Sequence, residues 1–143
     1  MAGKTTTFAN SFLALVFNAT TWTSMAQNNA SSPYSQIYVS LHSADPTASG
    51  NQSSNEIAYT SYARVAVARS SSGWTVSSNS VVPVSAISFP AGTGGSGTAA
   101  FFGLGSAASG TGVLFYTGAI TPSIVTGNGV TPILTTASTI TES

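Results

Sequence analysis

Hydrophobic and polar positions follow two different periods along the chain, a helical one near the start and a period of two later. Residues 8–17, FANSFLALVF, carry apolar side chains at helical spacing behind a threonine that can cap the first turn. The apolar stripe consists of Phe8, Phe12, Leu15 and Val16. The spacing predicts one short helix that docks this stripe on a sheet or a partner subunit, with Trp22 and Met25 packing back against it.

From Tyr34 onward the apolar positions alternate, and turn residues separate short runs. The runs are IYVSLH, YARVAVAR, WTVS, SVVPV, AISF, AAFFGLG, VLFYTGAI, SIV and PIL. They predict eight or nine strands in an all-β antiparallel sandwich, jelly-roll-like, behind the short helix, with Pro83 marking an edge or a bulge. The absence of strand–helix alternation excludes a parallel α/β sheet. We expect one structural domain, with a helical arm over residues 1–33 and the β-sandwich over residues 34–143.

Charge is scarce, since 4% of the 143 residues are charged where an average soluble domain has about 25%. The charged residues are Lys4, Asp45, Glu56, Arg64, Arg69 and Glu142. The formal net charge is zero, so electrostatic repulsion between copies is nearly absent. We therefore expect a homo-dimer or trimer, or a chain packed on a large partner.

Several partners and chemistries are excluded by what the sequence lacks. Three basic residues are too few to neutralise the phosphates of a nucleic acid, so no nucleic-acid partner is expected. The longest apolar run, residues 12–17, falls far short of the roughly 20 residues that span a bilayer, so no membrane partner is expected. Asn10 and Ser11 interrupt the apolar core that a secretory signal needs. Without cysteine there are no disulfides and no thiolate chemistry.

Candidate catalytic residues are concentrated in residues 42–56, which hold the only histidine and two of the three acidic residues. His42, Asp45 and a serine would supply the parts of a hydrolase, but the chain has no G-x-S-x-G elbow. A metal site would need His42, Asp45 and Glu56, and a glycosidase would need both carboxylates, at spacings that no recognised motif has. We expect no enzyme, no catalytic or metal-binding residue and no cofactor. His42 is interpreted as a structural histidine, bonded to loop backbone or to Asp45.

Two arginines and a glycine-rich segment complete the candidates. Arg64 and Arg69 lie five residues apart on one predicted strand and so point to opposite faces. They could form ion pairs between subunits, or pair with Glu56 or Asp45 within the domain, and both possibilities stay open. GTGGSG, residues 92–97, lacks the Lys and the following helix of a phosphate-binding loop, so we expect a flexible loop.

The stretch LHSADPTASGNQSSNEIAYTSYARVAVARSSSGWTV, residues 41–76, has a long and specific pattern. It resembles a family of small tailed-bacteriophage virion proteins with the pattern L-H-T-A-D-P-G, a G-N-Q-T-x-N-E loop, Y-x-x-Y-A-R-V-A-V and a G-W-x-V hairpin. The matching residues are Leu41–Pro46, Gly50–Gln52, Asn55–Glu56, Tyr59, Tyr62–Val67 and Gly73–Trp74, with Ser43 and Thr47 departing from the usual residues. The resemblance extends to FNAT and SGTGVLFYTGAIT and implies a virion structural component without catalytic residues.

Members of that family are described as head-decoration or tail-fibre-like proteins, and the resemblance leaves more than one function open. We expect a capsid decoration (cement) protein that binds the major capsid protein on the outer capsid surface, and that resides in the host cytoplasm during assembly. A tail or tail-fibre component is the alternative within this class. A carbohydrate-binding module is the alternative of another class, with Trp22 or the tyrosines as platforms, since Trp74 is expected in the core.

Overall fold

The computed structural model describes residues 5–22 and 24–142, and most of their regular secondary structure is β. The elements are α1 (Thr6–Asn18), β1 (Gln36–His42), β2 (Val65–Ala68), β3 (Trp74–Ser77), β4 (Ser80–Pro83), β5 (Ile87–Ser88), β6 (Ser96–Gly105), β7 (Leu114–Gly127), β8 (Ile133–Leu134) and β9 (Ile140–Thr141). The predicted all-β class, with antiparallel sheets behind one short N-terminal helix, is confirmed. The finer jelly-roll topology stays a prediction.

The strands form three sheets. The largest has the order β2-β1-β6-β7, the second β3-β4-β9, and the third pairs β5 with β8. The pairs β1–β6, β6–β7, β3–β4 and β4–β9 are antiparallel. Contacts between residues divide the chain into two compact units, which are described separately below. The first unit comprises Met1–Gln36, Ala68–Ala86 and Leu134–Ser143, and the second comprises Ile37–Val67 and Ile87–Ile133. The predicted boundary between residues 33 and 34 stays a prediction.

Helix α1 belongs to the first unit and is capped at both ends. The Thr5 side chain accepts a hydrogen bond from the Phe8 amide at 3.3 Å, which satisfies one of the free N–H groups of the first turn. Ala19 ends the helix in the left-handed conformation, with φ of 54°. The helix predicted over residues 8–17 is therefore confirmed, with a few more residues at its ends.

The buried face of α1 differs from the predicted stripe. Ala9, Leu13 and Phe17 are buried, whereas Phe8 is 42% exposed and the other three stripe residues are only partly buried. Phe17 packs edge-to-face on the fully buried Trp74 of β3, with ring centroids 5.0 Å apart. These three buried residues are spaced by four, so they lie on one helical face. The predicted stripe was wrong because residues 12–17 are apolar all round the helix, and the apolar spacing therefore fits more than one face.

The residues after the helix fulfil one expectation and contradict another. Trp22 packs edge-to-face on Phe8 of α1, with ring centroids 4.8 Å apart, so its predicted contact with the helix is confirmed. Met25 is 66% exposed, so its predicted packing was wrong. Met25 lies in a tight turn, in which the Trp22 and Ala26 backbones bond to each other, and its side chain faces solvent there.

The second unit is built around β1 and β6. Ile37, Val39 and Leu41 are buried along one face of β1, as their alternation predicted. Ser40 and His42 on the opposite face are also buried. Both faces of this strand end are therefore covered, which places polar side chains inside the fold.

Several strand boundaries differ from the prediction. YARVAVAR forms a strand only over β2. VLFYTGAI and SIV join in the single long strand β7, whose register with β6 shifts between Ala99 and Phe101, and β9 was not predicted. Pro83 is the last residue of β4, a middle strand rather than an edge. It is tolerated because the partner β9 pairs only as far as Val81.

Candidate functional site

The end of β1 brings the candidate catalytic stretch back onto itself. The Ile57 amide donates to the Leu41 carbonyl at 3.0 Å, and the Ser43 amide donates to the Asn55 carbonyl at 2.8 Å. His42 and Glu56 consequently form an isolated antiparallel bridge. The loop between them closes over the polar face of β1 and fixes the position of both side chains.

His42 is fully buried, and both of its ring nitrogens are bonded. Nδ1 lies 2.8 Å from the Ser54 carbonyl oxygen, which can only accept, so Nδ1 carries the proton. Nε2 then accepts from the Ser40 hydroxyl at 2.8 Å. Burial lowers the pKa of His42 below 6.5, against the opposing effects of the Ser54 hydrogen bond and the Glu56 charge. The imidazole is a neutral structural group in this arrangement.

Glycine makes the room for this imidazole. A Cβ added at Gly103 of β6, which pairs with Ser40, would lie 2.6 Å from His42 Nε2 and 2.8 Å from Ser40 Oγ. Contacts under 3.0 Å are too close for a real Cβ. The neighbouring strand β6 therefore needs a glycine at position 103, beside the imidazole.

Glu56 and Arg64 form a bidentate ion pair inside the unit. Glu56 Oε1 accepts from Arg64 Nε and Oε2 accepts from a terminal guanidinium nitrogen, both at 2.7 Å. The side chains are 2% exposed for Arg64 and 17% exposed for Glu56. Of the two possibilities left open by the sequence, Arg64 takes the pair within the domain. The Glu56 hydrogen bond is the main cause that raises the pKa of Arg64, so the guanidinium stays charged.

Tyr62 extends the pair to β1. Its hydroxyl donates to Glu56 Oε1 at 2.8 Å and accepts from the Leu41 amide at 3.0 Å. Burial raises the pKa of Tyr62 far above its usual value of 10.0, so it is a neutral donor. One carboxylate thus binds both a guanidinium and a phenol, and the phenol satisfies a backbone amide of the strand.

Arg64 also holds the loop between β6 and β7. Its terminal nitrogens donate to the Ala107 carbonyl at 2.9 Å and to the Gly110 carbonyl at 2.7 Å. The guanidinium therefore binds a carboxylate on one segment and two carbonyls on another. Its chemical use is to fasten two loops together, and each of its three nitrogens donates to a partner within the unit.

Gln52 is a member of this cluster that the sequence analysis missed. It is fully buried, donates to the Tyr38 carbonyl at 3.3 Å and accepts from the Ala107 amide at 2.9 Å. A Cβ at Gly105 or Gly112 would lie 2.3 Å from its side chain. Those glycines are the one sequence signal of a close approach, and they are hard to recognise in a chain with 14 glycines.

Asp45 is not brought to His42. It is exposed, and its carboxylate accepts from the Thr47 amide at 2.9 Å, which forms a local turn. Of the two partners proposed for His42, the loop backbone is therefore the one observed. Among the residues of 5–22 and 24–142, no group of three or more His, Asp or Glu side chains is placed to hold a metal ion.

Arg69 has a different role from Arg64. It donates to the Val16 and Leu15 carbonyls at 2.6 Å, to the Asn28 side chain at 2.7 Å and to the Tyr34 carbonyl at 3.2 Å. The guanidinium thus caps the C-terminal turn of α1, where free carbonyls carry partial negative charge. Burial lowers the pKa of Arg69. The sequence predicted a carboxylate partner for Arg69, and this helix cap was not predicted.

The remaining candidates also have structural positions. The glycine-rich segment 92–97 is bonded to Thr60 and to residues 127–130, and β6 begins within it at Ser96, so it is more ordered than the flexible loop predicted. Trp74 is buried, as expected, and Trp22 is half-buried. Within the described part of the chain, no helix is both long enough and apolar enough to cross a membrane.

These features define a β-structured protein in which Arg64 joins two loops and Arg69 caps a helix. The model of the family described as "Podophage GP4 fiber I protein gp80" matches residues 3–141. The chain therefore belongs to this family, and with it to the structural proteins of phage virions. No curated protein matches the chain.

Proposed function

We propose that this protein is a structural, non-enzymatic component of a fibre on a podophage particle. The observation that carries the proposal is the family match, because it spans residues 3–141 and the family description names a fibre. This description supports the tail-fibre alternative better than the capsid decoration protein first expected from the sequence. A site on the outer capsid surface, with the major capsid protein as partner, has correspondingly less support.

The buried cluster supports a non-enzymatic role. A general base must reach a nucleophile or substrate, yet both ring nitrogens of His42 are bonded inside the fold. Glu56 is bound by Arg64 and Tyr62, and Asp45 closes a separate turn. Each candidate catalytic group is thus engaged in holding the chain together.

The charge distribution supports assembly from several copies. The sequence has no charged residue between Arg69 and Glu142, a stretch that includes β3 to β9. Isolated β proteins commonly place charges on sheet edges to prevent pairing between molecules. A homo-dimer or trimer remains our proposal for the assembled state, and interfaces of this kind would depend on close packing of small uncharged side chains.

Localisation on purified particles tests the proposal. Gold-labelled antibodies against this chain should bind at fibres, and deletion of its gene should yield particles that keep a stable, filled head but lack those fibres. The number of copies per particle should match a few fibres and not a shell-covering lattice. Label spread evenly over the head, or heads that break without the protein, would contradict the fibre placement and favour capsid decoration.

A further inference from the structure

A cavity lies beside helix α1, within the first of the two units. Its volume is about 320 Å³, and it is lined by Asn10, Ser11, Ala14, Thr20, Thr21 and Trp22. Three of these residues come from the helix and three from the segment just after its cap. The volume is at the lower end of the range of small-molecule sites, which suits one small ring and not an extended ligand.

The lining combines one aromatic wall with uncharged hydrogen-bonding groups. Trp22 supplies an indole, Asn10 supplies an amide, and Ser11, Thr20 and Thr21 supply hydroxyls. The amide and the hydroxyls can each donate and accept. Among the described residues, the side chains of Asn10, Ser11, Thr20 and Thr21 form no hydrogen bond with another part of the chain. Four polar side chains are therefore available to a ligand.

The aromatic wall is held in place before any ligand arrives. The Trp22 amide donates to the Ala26 carbonyl at 2.8 Å, and the Ala26 amide donates back to the Trp22 carbonyl at 2.9 Å. The indole packs edge-to-face on Phe8. A side chain that is already fixed loses little conformational freedom on binding, which favours affinity. Trp74, by contrast, is buried in the core, whereas Trp22 is half-buried and lines the cavity.

A sugar ring has the complementary chemistry. One of its faces presents C–H groups that pack on an aromatic ring, and its edge presents hydroxyls that both donate and accept. None of the six described lining residues is charged, so a neutral ligand is favoured over an anionic one. We propose that this cavity binds one neutral saccharide unit, with Trp22 stacked on the ring and Asn10 and Thr21 bonded to its hydroxyls. This inference goes beyond the fibre role and does not depend on where the chain lies in the particle.

The two tryptophans allow a direct test on the full chain. With ¹⁵N labelling, the two indole N–H groups should give two resolved NMR signals, which Trp22→Phe assigns. The sugars to be titrated are glucose, galactose, N-acetylglucosamine and rhamnose. A single ring on an open site should bind weakly, with a Kd of about 1 mM, so titration to about 100 mM ensures saturation. At least one neutral sugar should shift the Trp22 signal and leave the Trp74 signal in place, while glucuronic acid should shift neither.

Substitutions separate binding from folding. Asn10→Ala and Thr21→Val should each raise the Kd at least about threefold, and Trp22→Ala should raise it at least about tenfold, with an unchanged Trp74 signal as proof of folding. Val84→Ala removes an exposed apolar side chain from the same unit outside the cavity and should leave the Kd unchanged. The proposal would be overturned if no neutral sugar shifted the Trp22 signal. It would also be overturned if the signals of the other lining residues shifted equally in the wild type and in Trp22→Ala.

Discussion

Arg64 has more bonded partners than any ion pair requires, because it binds Glu56 and two carbonyls of a loop far away in sequence. Removal of water from two charges is costly, and the cost is offset here by good geometry and by the extra hydrogen bonds. Loss of one partner would leave the other charge largely buried and without an opposite charge. The consequence can be measured by separate and joint substitution.

Arg64→Met should lower the free energy of unfolding by about 3–5 kcal/mol, since the Glu56 carboxylate would remain buried. The double variant Arg64→Met/Glu56→Leu should lose less than the single variant, because no charge is left unpaired. Urea denaturation followed by circular dichroism measures both values. Equal losses in the two variants would show that the pair contributes through packing and not through charge.

His42 should make stability depend on pH in a predictable direction. Its pKa in the folded chain is lowered below the ordinary 6.5, so the unfolded chain binds a proton more readily. The contribution of the neutral imidazole is therefore complete above pH 6.5 and is lost as the pH falls from 6.5 toward the lowered value. Protonation would also require the Ser40 hydroxyl to turn toward the Gly103 carbonyl, 3.4 Å away.

Unfolding free energies measured between about pH 5 and pH 8 should thus decrease on the acidic side of this range. As His42 is the only histidine, the wild-type curve has one main titrating side chain there. His42→Gln should be less stable at pH 8 but should have a flatter pH profile. A wild-type profile as flat as that of His42→Gln would contradict the buried neutral histidine.

At the scale of elements, helix α1 illustrates where the sequence is informative and where it is not. Its existence and its threonine cap follow from local residues, since capping and helical spacing are local properties. Its buried face depends on Trp74, which is distant in sequence and packs on Phe17. With apolar residues all round the second half of the helix, several faces fit the pattern equally well.

Two leucines of α1 test which face is buried. Leu13→Ala should lower the free energy of unfolding by about 2–5 kcal/mol, because the fully buried side chain would leave a cavity. Leu15→Ala is the matched control on the partly exposed side and should cost clearly less. Thermal or urea denaturation measures the stability of the two variants. A larger loss of unfolding free energy for Leu15→Ala than for Leu13→Ala would show that the stripe predicted from the sequence is the buried face.

The strands show a similar division between local and distant information. The strands β1, β3 and β4 follow from alternation and turn residues and were predicted closely. The continuity of β7 was missed because Thr121-Pro122-Ser123 has the composition of a turn. Within the site, the Arg64–Glu56 pair was one of two open possibilities. Burial of Gln52 was missed because amides are common in solvent-exposed loops and because the glycines beside it do not stand out from the others in the sequence.

At the scale of the whole molecule, the scarcity of charge governs how the protein meets its neighbours. Glu56 and Arg64 neutralise each other inside the fold, and Arg69 is bound at the end of α1. Few charges remain for contacts with other proteins. Attachment to the particle should therefore depend on packing and neutral hydrogen bonds, which salt screens little.

Washing purified particles in about 1 M NaCl, where the Debye length is roughly 3 Å, should leave this protein attached. Denaturing gels of the pelleted particles and the supernatant measure the retained fraction, and a wash in low salt is the control. Release by salt alone would show that charged groups of the partner dominate the contact.

The engaged arginines also decide how this protein responds to trypsin, which cuts after lysine and arginine. The chain offers three such positions, Lys4, Arg64 and Arg69, and the two arginine side chains are held by hydrogen bonds in the fold. The native protein should resist cleavage at both arginines, since proteases need an accessible, locally unfolded segment. Even complete digestion would leave residues 5–64 and 70–143 as two very long peptides. Counts of virion proteins by tryptic mass spectrometry will therefore understate its copy number, whereas chymotrypsin, directed at its many aromatic residues, would recover it.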